Sequence, residues 1–418
     1  MPDAPRIVFL AGDFEPDRDG VADYTRRLAA ALDGHGWEPL VAAAARPQGA
    51  PADVPIAPII EGWSPGAVVR LGARLRRLGA AIVHVQAAPT TFGRRGVLRW
   101  LPLALRPGGW RGPVVVTLHE HTPPTAATPR LLRAAFDRGL WDPDLGILLP
   151  LADAIVVTSE RERASLAVSH ALAPRVRLIP LPPNLEPLPE PAPAVRAALR
   201  HGLGFPPDAA VVAFFGFVHP VKRLPDLLVA VAQVRSRHPR LRLLVVGGWD
   251  PLSLTPAEAS AQRAGVEALI EQLGLGDAVR FTGHVSGDRA SALLSIADLA
   301  AVSMAYGVGP KSGSLIALLA HGLPTIAPLP PDGVPDMGRK AGIVSVPPRD
   351  PTALAGAIER LLDDPVLRRR LAAAARRFGR NRSWAATAAA HETLYASLVG
   401  PGRVSRATED TGVRRAAR

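Results

Sequence analysis

Only three of the 49 basic side chains are lysines, Lys222, Lys311 and Lys340, and two of these fall in loops suited to meet an anion. The first loop follows an apolar run, 211–215, that ends in Gly216. Pro220-Val221-Lys222 comes next, then a segment with Leu227, Leu228, Val231 and Val234 at helical spacing, then a second apolar run, 241–246, ending in Gly247-Gly248. The pattern reads strand, loop, helix, strand, with a cation just past the carboxyl end of the first strand. Open parallel sheets bind ligands at those ends. The second loop, Gly307-Val308-Gly309-Pro310-Lys311-Ser312-Gly313-Ser314, enters an apolar helix that stops at Gly322-Leu323-Pro324. Backbone amides of Ser312, Gly313 and Ser314 at a helix start suit a pyrophosphate. Lys311 adds charge and the hydroxyls add donors. The chemistry implied is stabilisation of the negative charge that develops on a diphosphate leaving group.

The first half holds weaker candidates. Asp19-Gly20 stands between a short strand and a helix, where a glycine admits a phosphate to the helix N-terminus or simply makes a turn. Val114-Val115-Val116-Thr117-Leu118 delivers His119 to a strand end, followed by Glu120 and His121. Two histidines at i, i+2 share one face, so zinc is conceivable, but no third ligand follows at a useful spacing. His84 reads as another strand-end histidine, structural or at the edge of an acceptor site. Ser159 reads as a helix N-cap ahead of Glu160. Asn184 opens a proline-rich connector, as a cleft-lining or hinge residue.

The elements that must position these residues alternate along the whole chain. Short buried strands are expected at 7–10, 36–44, 82–85, 114–118 and 154–157, with a helix over 22–32. The prolines from Pro180 to Pro193 form a stiff connector. Two alternating halves imply two doubly wound α/β domains facing across a cleft. The expected division is a domain over 1–183, a linker over 184–195, a second domain over 196–380, a helix over 381–399 and a disordered basic tail over 400–418.

The loop with Gly216 and Pro220-Val221-Lys222 resembles the donor-binding domain of family 4, "group 1", retaining glycosyltransferases of the GT-B fold. Leu151-Ala152-Asp153-Ala154-Ile155-Val156-Val157 and Gly322-Leu323-Pro324-Thr325-Ile326-Ala327 also resemble that family, and the likeness covers residues 5–398. It implies a sugar transferred from a nucleotide-sugar donor to a glycan or lipid-linked acceptor, with retention, without metal or other cofactor. It implies Lys222 on the diphosphate, His119 beside the donor sugar, Gly20 at a phosphate, and backbone at Gly283, His284 and Val285 reading the base. Glu120, His84 and Asn184 fall on the acceptor side. It also implies that the C-terminal helix crosses back to the first domain. The chain departs from the family at Asp19, where a glycine is usual, and at Phe217, where an arginine is usual. It departs again at Gly309 and Ala317, where the family has two glutamates for sugar and ribose. Losing a charge-assisted hydrogen bond to the ribose forfeits about 1.5–3 kcal/mol. The site is either rebuilt around Lys311, Ser312 and Ser314 or has become a binding site only.

A net charge of +12 favours anionic partners, although an Ala/Arg/Pro/Gly-rich chain also reflects GC-rich coding. Without cysteine there are no disulfides and no thiolate zinc sites. No signal peptide or spanning segment is read, so the protein is expected in the cytoplasm. Residues 92–106 interleave Arg94, Arg95, Arg99 and Arg106 with large apolar groups, and Arg70, Arg74, Arg76 and Arg77 precede them. This pattern fits contact with anionic lipid at the inner face of the plasma membrane, or a plain basic helix over a core. Nucleic acid is not expected, because aromatic residues are only 5% of the chain. Three functions compete: an active glycosyltransferase for surface polysaccharide or glycolipid, a non-catalytic GT-B subunit, and a nucleotide-sugar epimerase or hydrolase.

Overall fold

The computed structural model describes residues 4–12, 14, 19–43, 53–58, 63, 68, 70–92, 96–106, 109–249, 254–330, 334 and 337–399. The tail expected from residue 400, and Arg94 and Arg95 of the basic segment, lie outside the described residues. The chain divides into two compact units, Met1–Leu181 with Trp384–Arg418, and Pro182–Ser383.

The first unit runs β1 (Arg6–Leu10), α1 (Gly20–Leu32), β2 (Glu38–Ala43), β3 (Ile56–Pro58), α2 (Leu71–Arg77), β4 (Ala80–Ala87), α3 (Gly96–Leu105) and β5 (Val114–Leu118). It continues with α4 (Arg130–Asp137), α5 (Leu148–Leu151), β6 (Ala154–Val157), α6 (Glu160–Ala167) and β7 (Val176–Leu178). Its sheet is parallel, in the order β3-β2-β1-β4-β5-β6-β7. The strands read as unbroken apolar runs because both faces are covered. Val8, Val83, Val116 and Ile155 pack into one core, and Ile7, Phe9, Ile82 and Val115 into another.

The second unit begins in the proline-rich segment. This segment is not a free spacer: Leu185 is buried in the unit's core and the Leu188 amide donates to Ser291 Oγ at 2.9 Å. Then come α7 (Pro193–Gly202), β8 (Ala210–Phe215), α8 (Leu224–Arg235), β9 (Leu241–Val246), α9 (Pro256–Gln272), β10 (Val279–Phe281) and α10 (Gly287–Leu294). After β11 (Leu299–Ala301) follow α11 (Gly313–Ala320), β12 (Thr325–Ala327), β13 (Ile343–Ser345), α12 (Pro351–Asp363) and α13 (Pro365–Arg380). This sheet is also parallel, in the order β10-β9-β8-β11-β12-β13. Strand order reverses between β8 and β11, and this is where a doubly wound sheet opens a ligand crevice beyond its strand ends.

The last helix, α14 (Trp384–Val399), belongs to the first unit. Trp384, Ala388, Leu394 and Tyr395 are buried against β1 and α1 side chains. The Tyr395 hydroxyl meets His84 Nδ1 at 2.6 Å, and His84 Nε2 meets Thr117 Oγ1 at 2.7 Å. His84 is therefore corrected. β4 continues past it to Ala87, and its imidazole is wholly buried in a structural network rather than at an acceptor edge.

Candidate functional site

The site grows from the switch point of the second unit. β8 ends at Phe215, and Gly216 follows with φ 109°, a conformation that side chains disfavour. A Cβ there would collide with Lys222 Nζ, so the glycine makes room for the ammonium. Gly247, at the end of β9, is required in the same way, because a Cβ on it would collide with the Gly216 carbonyl. The turn that carries Lys222 is held from three sides. The Lys222 amide donates to the His219 carbonyl at 2.8 Å, and Ala305 N donates to the Val221 carbonyl at 2.9 Å. Ser303 Oγ, two residues past β11, donates to the Lys222 carbonyl at 2.8 Å.

From this fixed turn Lys222 Nζ donates to Ser314 Oγ at 2.9 Å, a contact between residues 92 apart in sequence. Ser314 lies in the first turn of α11. Ser312 is the N-cap and accepts from Leu315 N. The amides of Gly313 and Ser314 precede the first residue that can find an acceptor within the helix, so their N–H groups point out of its N-terminus. Asn184 completes this corner. A Cβ on Gly313 would stand 3.3 Å from Asn184 Nδ2. Asn184 therefore lies in the second unit, beside the first residue of α11. Lys311 sits in the turn just before Ser312. Lys340 lies elsewhere, in a short turn before β13.

Burial lowers the pKa of Lys222 to about 8. Its ammonium is 5.9 Å from the centre of the Phe214 ring and has no carboxylate partner among the described residues. A desolvated cation between a strand end and a helix N-terminus gains most from a bound anion.

The expected base-reading loop lies at the neighbouring strand end. Gly283 pairs with Gly247 through an antiparallel bridge, and Thr282 Oγ1 accepts from Gly247 N at 3.3 Å. The exposed His284 ring stacks on Phe217, with centroids 6.4 Å apart and planes at 16°. Val285 is partly buried against the second unit's core. Sequence reasoning marked Phe217 only as a missing arginine; the structure gives it a role in fixing His284. Ala317 is fully buried in the core, while a Cβ on Gly309 would meet nothing within 4 Å.

In the first unit His119 Nε2 bonds Gln86 Oε1 at 2.7 Å and its ring meets Tyr24 edge-on at 4.9 Å. His121 turns elsewhere, to Asp142 Oδ2 at 3.0 Å, so the two histidines share no ligand position. No group of three metal-ligating side chains occurs among the described residues. Glu120 accepts from Thr90 Oγ1 at 2.7 Å. Gly20 is corrected. The carboxylate of Asp19 caps α1, accepting from Val21 N and Ala22 N, so the amides meant for a phosphate are already taken by an anion. Burial raises the pKa of Asp19 against the lowering effect of those two amides. Ser159 is the N-cap of α6 and accepts from Glu162 N, as expected.

Comparisons with known proteins fit this geometry. The family "Glycosyl transferases group 1" matches residues 195–378 and "Glycosyltransferase Family 4" matches residues 18–186. A D-inositol 3-phosphate glycosyltransferase of Streptomyces griseus is 32% identical over 260 residues, covering 60% of this chain and 53% of the relative. One from Kineococcus radiotolerans is 33% identical over 264 residues, covering 59% and 58%. The chain thus spans about half the length of the curated relatives it matches. Among solved structures, Anabaena HepE in complex with UDP and glucose superposes with a TM-score of 0.68 at 17% identity, covering 94% of this chain and 100% of that one. Sucrose-phosphate synthase of Thermosynechococcus elongatus gives 0.66 at 22%, covering 94% and 99%. At these identities the likeness is one of fold, and the fold is GT-B.

Proposed function

The chain belongs to the group 1, family 4 glycosyltransferases, and from that membership we propose that it moves a sugar from a nucleoside-diphosphate donor to an acceptor hydroxyl. The observation that carries the reading is the Lys222 ammonium on Ser314 Oγ, at the switch point and at the start of α11. In the step, the bond from the sugar's anomeric carbon to the diphosphate oxygen breaks. The acceptor oxygen bonds the anomeric carbon, and the acceptor proton leaves with the diphosphate. Lys222, Lys311 and the Gly313 and Ser314 amides neutralise the departing charge, which is the largest electrostatic contribution such a site supplies. Retention of configuration comes from the family resemblance. The reading gives the neutralising role to protein cations and not to a divalent metal, so turnover in EDTA should match turnover without it. A chelator-sensitive rate would remove that part.

A lipid-linked acceptor is supported by the surface of α3 and α4. Leu131 on α4 is 81% exposed, and Trp100, Leu103 and Leu140 are also exposed. Trp100 packs on Trp141 at 5.4 Å, Arg130 stands exposed at the start of α4, and Arg106 and Arg138 stand exposed just past the ends of α3 and α4. Apolar groups with cations beside them suit an anionic membrane surface. No helix among the described residues is long and apolar enough to cross a membrane.

Gly309 and Ala317 favour one second reading, a subunit that binds a nucleotide sugar without turning it over. Incubation with a panel of nucleotide sugars, with and without lipid-linked and glycan acceptors, separates the two. Nucleotide released only when acceptor is present supports the transferase. Saturable binding with no release supports the second reading, and release without acceptor points to a hydrolase.

A further inference from the structure

The second unit carries another basic concavity, at the opposite ends of its strands. The donor loops leave the carboxyl ends of β8, β9, β10 and β11, and the groove lies at the amino ends of strands. The groove is lined instead by Ser295 and Asp298, which lead into β11, and by Gly322 and Pro324, which lead into β12. Its volume is about 490 Å³, within the range of small-molecule sites.

Five arginines line it, Arg196, Arg368, Arg369, Arg376 and Arg380, against two carboxylates, Glu190 and Asp298. Asp298 is already committed to Arg196, Arg200 and the Val211 amide. Arg368 caps the carbonyls of Leu361 and Leu362 at the end of α12. Arg369, Arg376 and Arg380 make no ion pair or hydrogen bond among the described residues. They share one face of α13, and Arg376 and Arg380 are four residues apart, where like charges repel and weaken a helix. Arg376 is also placed by packing: a Cβ on Gly322 would meet its Cγ at 2.6 Å. Unpaired guanidinium forks on one helix face match the geometry of phosphate or carboxylate oxygens.

We propose that this groove is a second anion site, which takes a small soluble ligand bearing two or more phosphate or carboxylate groups. The one aromatic ring in the lining is His321, held through both ring nitrogens by the Ala317 carbonyl and Ser291 Oγ, and no Phe, Tyr or Trp stands there as a stacking platform, so the charged groups of the ligand are what the groove recognises. Pro187, Leu188 and Glu190 follow the point where the chain enters the second unit at Pro182, and Arg380 precedes its exit at Ser383. A bound anion would therefore hold both connecting segments.

The test is calorimetric titration of sodium tripolyphosphate into the full chain, into Lys222→Ala and into Arg369→Ala/Arg376→Ala. The groove is independent of the donor assignment, so Lys222→Ala should keep one bound equivalent. The double arginine variant should lose that equivalent, with affinity lower by about tenfold or more. Arg369→Glu, at a solvent-facing position, repeats the measurement with little risk to folding and should also bind more weakly. Binding to both arginine variants that equals the wild type, or no binding to Lys222→Ala, would overturn the proposal.

Discussion

Lys222 links a measurable pKa to the assigned chemistry. Its folded pKa of about 8 lies below the ordinary lysine value of 10.5 because burial disfavours the charged form. Only the protonated form attracts a diphosphate. Affinity for a nucleoside diphosphate such as UDP should therefore be flat below about pH 8 and fall as pH rises through it. The unfolded chain keeps its proton up to 10.5, so this residue costs stability below pH 8, and that cost is relieved between pH 8 and 10.5. Lys222→Ala should weaken UDP binding by about tenfold to a hundredfold, the worth of a charge-assisted hydrogen bond, and abolish the pH dependence. Calorimetry across pH 7 to 10 checks both, and unchanged affinity would count against the assignment. Gly216→Ala should act on the same atom, since its Cβ would take the place of Lys222 Nζ at a φ of 109°. It is expected to cost about 1–3 kcal/mol of stability, read as a lower melting temperature, together with donor affinity.

At the scale of elements, α14 makes a different prediction. His391 and His84 lie buried side by side, ring centres 5.6 Å apart, with Tyr395 bonded to His84. Burial lowers the pKa of His391 to about 4 and that of His84 well below the usual histidine value. Above pH 6.5 both states are neutral at these sites and the docking is intact. As pH falls from 6.5 toward 4 the unfolded chain takes up protons that the folded chain refuses, so stability is lost. For His391 alone the loss is about 3 kcal/mol. Thermal melts from pH 7 to 4 should show this fall, with a shallower slope in His391→Gln; an identical slope would remove His391 from the account.

The elements also show what the sequence could and could not reveal. Strands were legible because parallel strands buried on both faces are unbroken apolar runs, and the entry to α11 was legible from its glycine-serine loop. That the Lys222 and Ser312–Ser314 loops serve one anion was also read, but the bond from Lys222 to Ser314 was not, because it joins residues 92 apart through a β8–β11 adjacency that only the sheet order sets. His84 was misplaced because β4 is longer than its apolar core suggests. Gly20 was misread because the cap of α1 depends on where the Asp19 side chain turns, which spacing does not encode. The arginine groove was invisible, since its lining is drawn from residues between Pro187 and Arg380 that share no motif.

For the whole molecule, two parallel-sheet units each carry a cluster at their strand ends, and the proposal gives the one in the second unit to a diphosphate. The family supplies the reaction class. The central claim is that Lys222 and the first turn of α11 hold the diphosphate of the donor. The most direct measurement is a crystal structure of the full chain with UDP. The account predicts the distal phosphate within about 3 Å of Lys222 Nζ and of the Gly313 or Ser314 amide. A diphosphate seated anywhere else, with Lys222 still bonded only to Ser314, would contradict it.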